Sequence, residues 1–589
     1  MSDAPVGREP IQIVEILQPL CENVFGSSPC TATGTADTKC YNTRATCQDT
    51  ANFALGTPLS LFFSNGKVGA QSVEGASYIF PSLVSVSTSP TKVNLAGASD
   101  NAKGLGNRAL CTIRFKDHQH TDRLVDPYVD GRSWDPLSRE RGSFWSRWLV
   151  RNKYRTNIQV KVYEGYTGQT IAQMTQRLYI MTSVSKQNSN GDITMECKDV
   201  LTRLEERQAQ VPSASAGVLY EAITSTATSF EVANAVEADY DASGTLRIGD
   251  EVMTYTARAT STNGIEFTGV VRGTDNTTAE DHSVDASVQL CIRYDEASII
   301  DVLVDLMQTR GGLPAQYMAD FAVGQPSYDE ALNYLSFLRV TRLLTEPYGI
   351  SELIADLAEQ VQFFIWWEET EQLVKLRAIR GYDVEPDTLT DEANIISGTF
   401  SIADKPKERA SQVWIYYAQR DYTQGDSDVN NYEYQYVVAD LESETDELYG
   451  SASIRKIFAA WINQGIVAQT TATKLSNKYV DTPTEGKLRV DIKDGDYQIG
   501  STFFISHYLD VDQYGNRRLR PWTVVSREEV VPNEVVEYVV EDTVLYGRIY
   551  FIMASGSADY NPSNVPFKSG YIGNASGILS DGKTAARIG

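Results

Sequence analysis

Four cysteines near the N-terminus are the residues of this chain best suited to chemistry. Cys21, Cys30, Cys40 and Cys47 follow a C-x8-C-x9-C-x6-C pattern, and the whole chain of 589 residues contains seven cysteines. The surrounding segment is rich in Gly, Ser, Thr and Asn and shows neither the helical nor the strand period, which predicts a loop. A long loop without an apolar face needs another means of support. Four thiolates that converge on one inorganic centre would supply it.

Three kinds of site are compatible with these cysteines. Two disulfides would suit an oxidising compartment, but the first residues do not have the pattern of a secretory signal, and seven is an odd number. A structural zinc site takes four thiolates, usually from C-x2-4-C pairs, and here every gap is longer. A [4Fe-4S] cluster also takes four thiolates, with more variable spacing. The residues alone leave an iron–sulfur cluster, zinc and no metal open.

The two outer cysteine pairs, Cys21-x8-Cys30 and Cys40-x6-Cys47, resemble those of the lambda-type tail-tip protein L family. Those siphophage tail proteins carry an iron–sulfur cluster, and the hub proteins of gene transfer agents have similar cysteine sets. The middle gap is shorter here, and the cysteines stand near the N-terminus, not towards the C-terminal end. The resemblance implies that all four cysteines ligate one [4Fe-4S] cluster, with zinc as the alternative.

Composition and charge narrow the class of protein. The chain is rich in Tyr, with 32 of them, and in Thr and Val, which favours strands. It contains no apolar run long enough to span a membrane. The net charge of −25 argues against binding nucleic acid by charge, because such proteins carry basic patches. The acidity is compatible with a wall past which DNA moves in transit without adhering, although maintaining solubility is the preferred explanation of the charge by itself.

The fold class predicted from these patterns is β-rich α+β with several domains. Alternating runs separated by turn residues, such as VKVYEGYTG and ITMECKDVLTRL, resemble the tail-tube-like β-barrel of phage tail hubs. Residues after the linker at 211–219 predict a small inserted β module. The predicted domains are 1–104 with the metal-bound cysteine loop, 105–216 as the first part of the barrel, 217–293 as the inserted module, 294–493 as hub domains of helix plus strands, and 494–589 as a C-terminal β region with an extended tail.

Two helices and several single residues complete the predictions. Amphipathic spacing predicts a helix within 295–312, which ends at Gly311, and a second helix within 351–367, which runs into a strand. His118 and His120 form an H-x-H pair that could bind a metal on one face of a strand, but solvated loop histidines are the preferred interpretation. The other cysteines, Cys111, Cys197 and Cys291, are predicted to be small buried side chains.

No catalytic motif is present, and we expect a protein that is not an enzyme. The resemblance implies a structural virion protein, the tail-tip or baseplate hub of a long-tailed phage, assembled in the host cytoplasm. It would form a homotrimeric ring that contacts the distal tail protein, the tape-measure protein and a central fibre. The alternatives are an iron–sulfur redox enzyme or a tail-associated hydrolase, and a zinc-containing receptor-binding protein.

Overall fold

The computed structural model describes most of the chain and is β-rich, with short α-helices set between several sheets. The predicted extended tail after residue 542 lies outside the described residues, apart from the two short strands at 570–571 and 587–588. The described residues are 9–66, 73–95, 106–185, 188, 190–205, 209–381, 386–531, 534–542, 570–571 and 587–588.

One eight-stranded sheet contains most of the first 200 residues. It pairs in the order β3-β2-β1-β6-β7-β8-β5-β4, and all pairs are antiparallel except β2 with β3. Burial alternates along β5 as expected for a sheet with one face towards a core. The strands are β1 (Pro10–Gln18), β2 (Leu59–Ser64), β3 (Ile79–Phe80), β4 (Leu83–Ser89), β5 (Leu110–Lys116), β6 (Gln159–Tyr166), β7 (Thr175–Val184) and β8 (Asp192–Lys198).

The sheet curls around an aromatic core, and helix α1 (Phe144–Arg151) fills the interior. Phe63 on β2 lies 5.0 Å from Phe115 on β5 and 5.4 Å from Trp145 on α1, measured between ring centroids. Asp117 accepts a hydrogen bond of 3.0 Å from the backbone N–H of Trp145 and so caps the start of the helix. The curled sheet with its helix is the body to which the cysteine loop is attached.

The sheet crosses the predicted domain division at 104/105. Strand β1 pairs with β2 on one side and with β6 on the other, so that Val14 faces both Phe63 and Val162. The N-terminal strands are therefore part of the same sheet as residues 110–198, which corrects the predicted division. The sequence did not predict this common sheet, because pairing between strands that are distant in sequence produces no local sequence pattern. The cysteine segment is a long connection between two neighbouring strands, β1 and β2.

Two smaller sheets follow and enclose a core of their own between Leu219 and Val288. One sheet has the order β10-β11-β15-β14 and the other β16-β13-β12-β17-β18. Strand β17 pairs with β12 through its first residues and with β18 through its later residues, so it links this module to the rest of the chain. The strands are β9 (Gln210–Val211), β10 (Val218–Leu219), β11 (Ser229–Ala233), β12 (Gly244–Ile248), β13 (Glu251–Tyr255), β14 (Ala257–Ser261), β15 (Gly264–Thr268), β16 (Val271–Thr274), β17 (Val288–Ser298) and β18 (Arg339–Leu344).

The two predicted helices are confirmed. The first is α2 (Ile299–Val304), continued by a wider turn to Arg310 and ended at Gly311, and the Ser298 hydroxyl caps its start by accepting from Asp301 N–H. The second, α4 (Ile350–Val361), leads through Gln362 at φ 66° into a buried strand. The remaining elements of this region are α3 (Pro326–Tyr334), β19 (Tyr348–Gly349), β20 (Phe363–Glu368) and β21 (Leu373–Ala378).

Two further sheets form most of the C-terminal part, in the orders β25-β24-β26 and β22-β28-β29-β30-β27-β23, and β31 pairs with β32 in a separate two-stranded sheet. Helix α5 (Gly465–Tyr479) packs on β24 and β25. None of the helices in the described ranges has both the length and the apolar character needed to cross a membrane. The strands are β22 (Thr388–Thr390), β23 (Ser401–Asp404), β24 (Gln412–Gln419), β25 (Tyr432–Ala439), β26 (Ile454–Ala459), β27 (Thr484–Asp491), β28 (Thr502–Ser506), β29 (Arg520–Val531), β30 (Val535–Asp542), β31 (Gly570–Tyr571) and β32 (Arg587–Ile588).

A buried arginine joins the first sheet to the C-terminal sheet. Arg177 on β7 pairs with Glu164 on β6, with Glu369 just after β20 at 3.3 Å, and with Glu529 on β29 at 3.4 Å. Tyr179 donates a hydrogen bond of 3.1 Å to Glu369. Burial raises the pKa of Glu369 to about 7, although Arg177 and Tyr179 act in the opposite direction. Three carboxylates from separate parts of the chain thus share one guanidinium, although Glu529 also pairs with Arg527 at 3.2 Å and Glu164 accepts a hydrogen bond from Gln12.

Candidate metal centre

The cysteine loop leaves and re-enters the first sheet at adjacent points. Cys21 follows β1 and forms an isolated bridge with Leu55, close to the start of β2. The N–H of Gly56 donates to the carbonyl oxygen of Leu20 at 2.9 Å. The two ends of the loop are therefore held together by backbone hydrogen bonds. The residues between them form the cysteine loop.

The loop has almost no apolar core. Of residues 19–58, all of which the structure describes, only Phe25, Ala32 and Thr43 are buried. Its regular structure is limited to three short 3-10 turns, at Ala36–Thr38, Arg44–Thr46 and Thr50–Asn52. Hydrophobic burial contributes little to holding such a segment, as the sequence predicts, because stability of this kind scales with the apolar area removed from water.

The structure brings the four predicted cysteines together around one cavity. Cys21, Cys30, Cys40 and Cys47 all line a space of about 320 Å³ within the loop. Burial raises the pKa of the Cys40 thiol, and electrostatic repulsion from the other three cysteines raises it further. The four cysteines thus line one cavity although up to 26 positions separate them in sequence.

The donors at this cavity are soft. All seven cysteines are free thiols, and thiolate sulfur is the ligand that zinc and iron–sulfur clusters prefer. Asp49 also lines the cavity, but hydrogen bonds from Thr31 and Asn52 occupy its carboxylate and lower its pKa to about 2. Among the described residues, no three His, Cys, Asp or Glu side chains are placed to hold a single metal ion.

Asn42 connects two of the cysteines directly. Its carbonyl oxygen accepts a hydrogen bond of 2.7 Å from the N–H of Cys21. Its side-chain oxygen accepts from the thiol of Cys40 at 3.4 Å, and its side-chain nitrogen donates to the carbonyl of Cys21. The φ of 55° at Asn42 is left-handed, a conformation that asparagine tolerates better than most residues. The position thus needs both the backbone and the side chain of asparagine.

Arg132 holds the loop from outside. Its side chain is 1% exposed, and it forms a two-pronged ion pair with Asp126, with distances of 2.8 and 3.1 Å. The remaining N–H groups point at the loop backbone. Three N–H groups remain and serve four carbonyl oxygens, so one of these hydrogen bonds is shared. The acceptors are the carbonyl oxygens of Ala36 (3.1 Å), Asp37 (3.0 Å), Lys39 (3.0 Å) and Cys40 (3.2 Å). One guanidinium therefore fixes the turn that leads into Cys40, since its five donors are arranged in a rigid fork.

Two further contacts attach the loop to the body of the protein. The hydroxyl of Tyr128 accepts a hydrogen bond of 2.9 Å from the N–H of Phe25. The hydroxyl of Thr43 donates to the carbonyl oxygen of Arg151, at the end of α1, at 2.6 Å. The loop is thus attached to the body at Phe25, at 36–40 and at Thr43. These attachment points lie between Cys21 and Cys47 and include Cys40 itself.

The structure places the other candidate ligands elsewhere. Strand β5 ends at Lys116, so His118 and His120 lie on the following connection, as the loop prediction has it, but both are half-buried and not fully solvated. The His118 ring stacks on Phe144 at 5.0 Å, and His120 packs against Phe80 at 5.1 Å. They are sheltered because this connection folds back over the start of α1. The remaining cysteines, Cys111, Cys197 and Cys291, are buried as predicted.

Sequence reasoning found the thiols but not the residues that position them. Arg132 lies 92 positions from Cys40, and its acceptors are backbone carbonyls, which leave no pattern in side-chain types. In the sequence, Asn42 is one polar residue among many in the loop, and nothing there indicates its role. A positive φ combined with two side-chain hydrogen bonds becomes apparent only once the fold is known.

Comparisons with known proteins give limited similarity. No protein-family model and no curated protein matches the chain. Among solved structures, a tail protein from Neisseria meningitidis MC58 aligns with 65% of this chain and 87% of its own, at 10% identity and a TM-score of 0.34. The 43 kDa tail protein of prophage MuSo2 from Shewanella oneidensis aligns with 79% of this chain and 98% of its own, at 9% identity and a TM-score of 0.37.

A chain from the virion of a native gene transfer agent particle is also similar. It aligns with 63% of this chain and 79% of its own, at 9% identity and a TM-score of 0.27. All three TM-scores lie below 0.5 and all identities below 25%. Alignments at this level do not by themselves establish a shared fold or a shared role.

Proposed function

We propose that this chain is a structural protein of a phage-type tail, located at the tail tip as the baseplate hub. The observation that carries the proposal is the cysteine loop: four thiols, spaced as two pairs, gather around one cavity on a curled β-sheet. The paired spacing is the feature in which the sequence resembles tail-tip hub proteins with an iron–sulfur cluster. The β-rich architecture of several sheets is compatible with that role.

The four cysteines would hold one [4Fe-4S] cluster. A cavity lined by four thiols, with Asp49 already engaged by other partners, fits a cluster that takes its protein ligands from cysteine. When bound, the cluster would cross-link four points of a loop that has almost no core, as a structural metal does. Asn42, Arg132 and Tyr128 then act on the protein side, by fixing the loop segments that present the thiols.

Substitution of single cysteines should separate ligands from buried thiols. We expect Cys21→Ser and Cys47→Ser each to lose most of the iron and the visible absorption of the purified protein, because a missing thiolate opens the cluster to solvent. The matched control is Cys291→Ala in the inserted module, which removes a thiol that is 4% exposed and should leave the iron content unchanged. Equal iron loss in all three variants would show that the ligands are assigned wrongly.

The hub role predicts a homotrimeric ring. Three chains would carry three times the net charge of −25, and an acidic channel would keep passing DNA from adhering. The distal tail protein, the tape-measure protein and a central fibre would be its neighbours. Native mass measurement of the purified assembly, together with a tail reconstruction computed without imposed symmetry, tests this. Three copies at the distal end are expected, whereas a monomer or a twofold assembly contradicts the hub role.

A further inference from the structure

An open pocket lies between the cysteine loop and helix α1, separate from the cavity that the cysteines line. Its volume is about 700 Å³. Two of its residues belong to the loop, two to the connection that precedes α1, and two to α1 itself. The lining residues are Asp37, Tyr41, Trp134, Arg141, Arg147 and Arg151. Half of the lining residues are thus arginines, in a chain whose net charge is −25.

The two arginines on α1 share a single carboxylate. Arg147 and Arg151 are one helical turn apart and reach Asp122 with N–O distances of 3.2 and 2.7 Å. Both residues are less than 10% exposed. The Nε atom of Arg147 is buried and has no hydrogen-bond partner among the described residues. The two guanidinium groups share the one carboxylate of Asp122, and Arg147 also donates to the carbonyl oxygens of Pro136 and His120, while Arg151 lies over the ring of Tyr41 at 3.8 Å.

Arg141 is the arginine of this pocket that a ligand can reach from solvent. It is exposed, lies over the ring of Trp134 at 5.1 Å, and forms no ion pair with any of the described residues. Asp37, the one acidic residue of the lining, accepts hydrogen bonds from the N–H and the hydroxyl of Ser133, which together with the attraction of Arg132 and Arg141 lower its pKa. Its carboxylate therefore offsets part of the positive charge of the pocket. Contact with Trp134 restricts the side chain of Arg141, so less conformational freedom is lost when it binds an anion.

We propose that this pocket binds an oxyanion, a phosphate or a carboxylate group. The guanidinium fork matches the geometry of both groups and binds them through two parallel hydrogen bonds. Three arginines against Asp37 and Asp122 give the pocket a local positive charge, while the protein as a whole repels anions. Tyr41 and Trp134 form aromatic walls against which the guanidinium groups of Arg151 and Arg141 lie, at 3.8 and 5.1 Å from the ring centroids. The anion comes either from solution or from an acidic side chain of a partner protein.

Calorimetric titration with inorganic phosphate tests the pocket, at an ionic strength held constant with sodium chloride so that general screening does not change. We expect saturable binding that Arg141→Ala weakens at least about tenfold, the loss typical of a hydrogen bond between charged groups. Arg141→Lys should recover part of the affinity, because it keeps the charge and loses the fork. The matched control is Arg114→Ala, an exposed arginine on β5 outside the pocket, which should bind phosphate as the unchanged protein does.

A second titration with a short peptide of glutamates distinguishes the two sources of the anion. Phosphate binding that depends on Arg141, without peptide binding, assigns the pocket to a free anion. Peptide binding that depends on Arg141 assigns it to a carboxylate of a partner protein. The proposal is overturned if neither ligand binds saturably, or if Arg141→Ala and Arg114→Ala weaken binding equally.

Discussion

Arg132→Ala should release the cysteine loop and abolish metal incorporation, although Arg132 is not itself a ligand. The substitution removes a two-pronged pair with Asp126 and four hydrogen bonds to the loop backbone. It leaves the carboxylate of Asp126 buried without its cation, which costs about 3–5 kcal/mol in buried pairs. The turn that presents Cys40 then has no fixed position. We expect iron content to fall to a small fraction of that of the unchanged protein.

Two matched variants show whether the effect arises at Arg132. Arg141→Ala removes an exposed arginine nine residues further along and should retain its iron, although it loses binding of the oxyanion. Arg132→Lys should be intermediate, because one ammonium group cannot reach four carbonyls and a carboxylate together. Limited proteolysis of the metal-free proteins gives a second measurement, with faster cleavage within 36–40 expected for Arg132→Ala. Full iron content and unchanged cleavage in that variant would contradict the positioning role.

Arg177→Met should weaken the attachment of the first sheet to the C-terminal sheet. The change leaves Glu164, Glu369 and Glu529 close together without the guanidinium that they share. Breaking a buried pair in this way costs about 3–5 kcal/mol, and the loss should be largest where all three carboxylates are ionised. Chemical denaturation at pH 8 measures it. An additional early transition is expected, since the two sheets would then separate before either unfolds.

Glu369→Gln is the companion variant, and we expect it to stabilise the protein where Arg177→Met destabilises it. The pKa of Glu369 is raised from 4.5 to about 7, so the folded protein holds a proton that the unfolded chain releases between these values. Stability from this group is therefore present below about pH 4.5 and is lost as the pH rises to about 7. Glutamine cannot ionise, so the variant should match the unchanged protein near pH 4.5 and exceed it at pH 8, by up to about 3 kcal/mol. Equal pH profiles for the two proteins would contradict this assignment.

The sequence predicted what local patterns can encode. Amphipathic spacing located the helices at Ile299–Val304 and Ile350–Val361, and Gly311 marked the end of the first. The density of cysteines identified Cys21, Cys30, Cys40 and Cys47 before any fold was known. Polar composition predicted a loop around them, and only three residues of that loop are buried. In each case the signal lies within one segment of about 40 residues or fewer.

The remaining features depend on contacts between distant segments. The pairing of β1 with β6 joins residues about 150 positions apart. Local sequence patterns do not record such pairing, and a domain boundary was therefore predicted at 104/105, within the common sheet. Arg132 reaches the loop from 92 positions away and binds carbonyl oxygens that every residue possesses. The histidines were placed in solvent because their shelter is provided by Phe80 and Phe144, on other elements. Long-range contacts of this kind are set by the fold as a whole.

Metal analysis of the protein purified without oxygen tests the central claim most directly. Iron and acid-labile sulfide are quantified per chain, and the electron paramagnetic resonance spectrum is recorded after reduction. We expect about four iron atoms and four sulfides per chain, with the signal of a reduced [4Fe-4S] cluster. One zinc atom per chain without iron would contradict it, as would a metal-free protein in which all four loop thiols react with a thiol reagent.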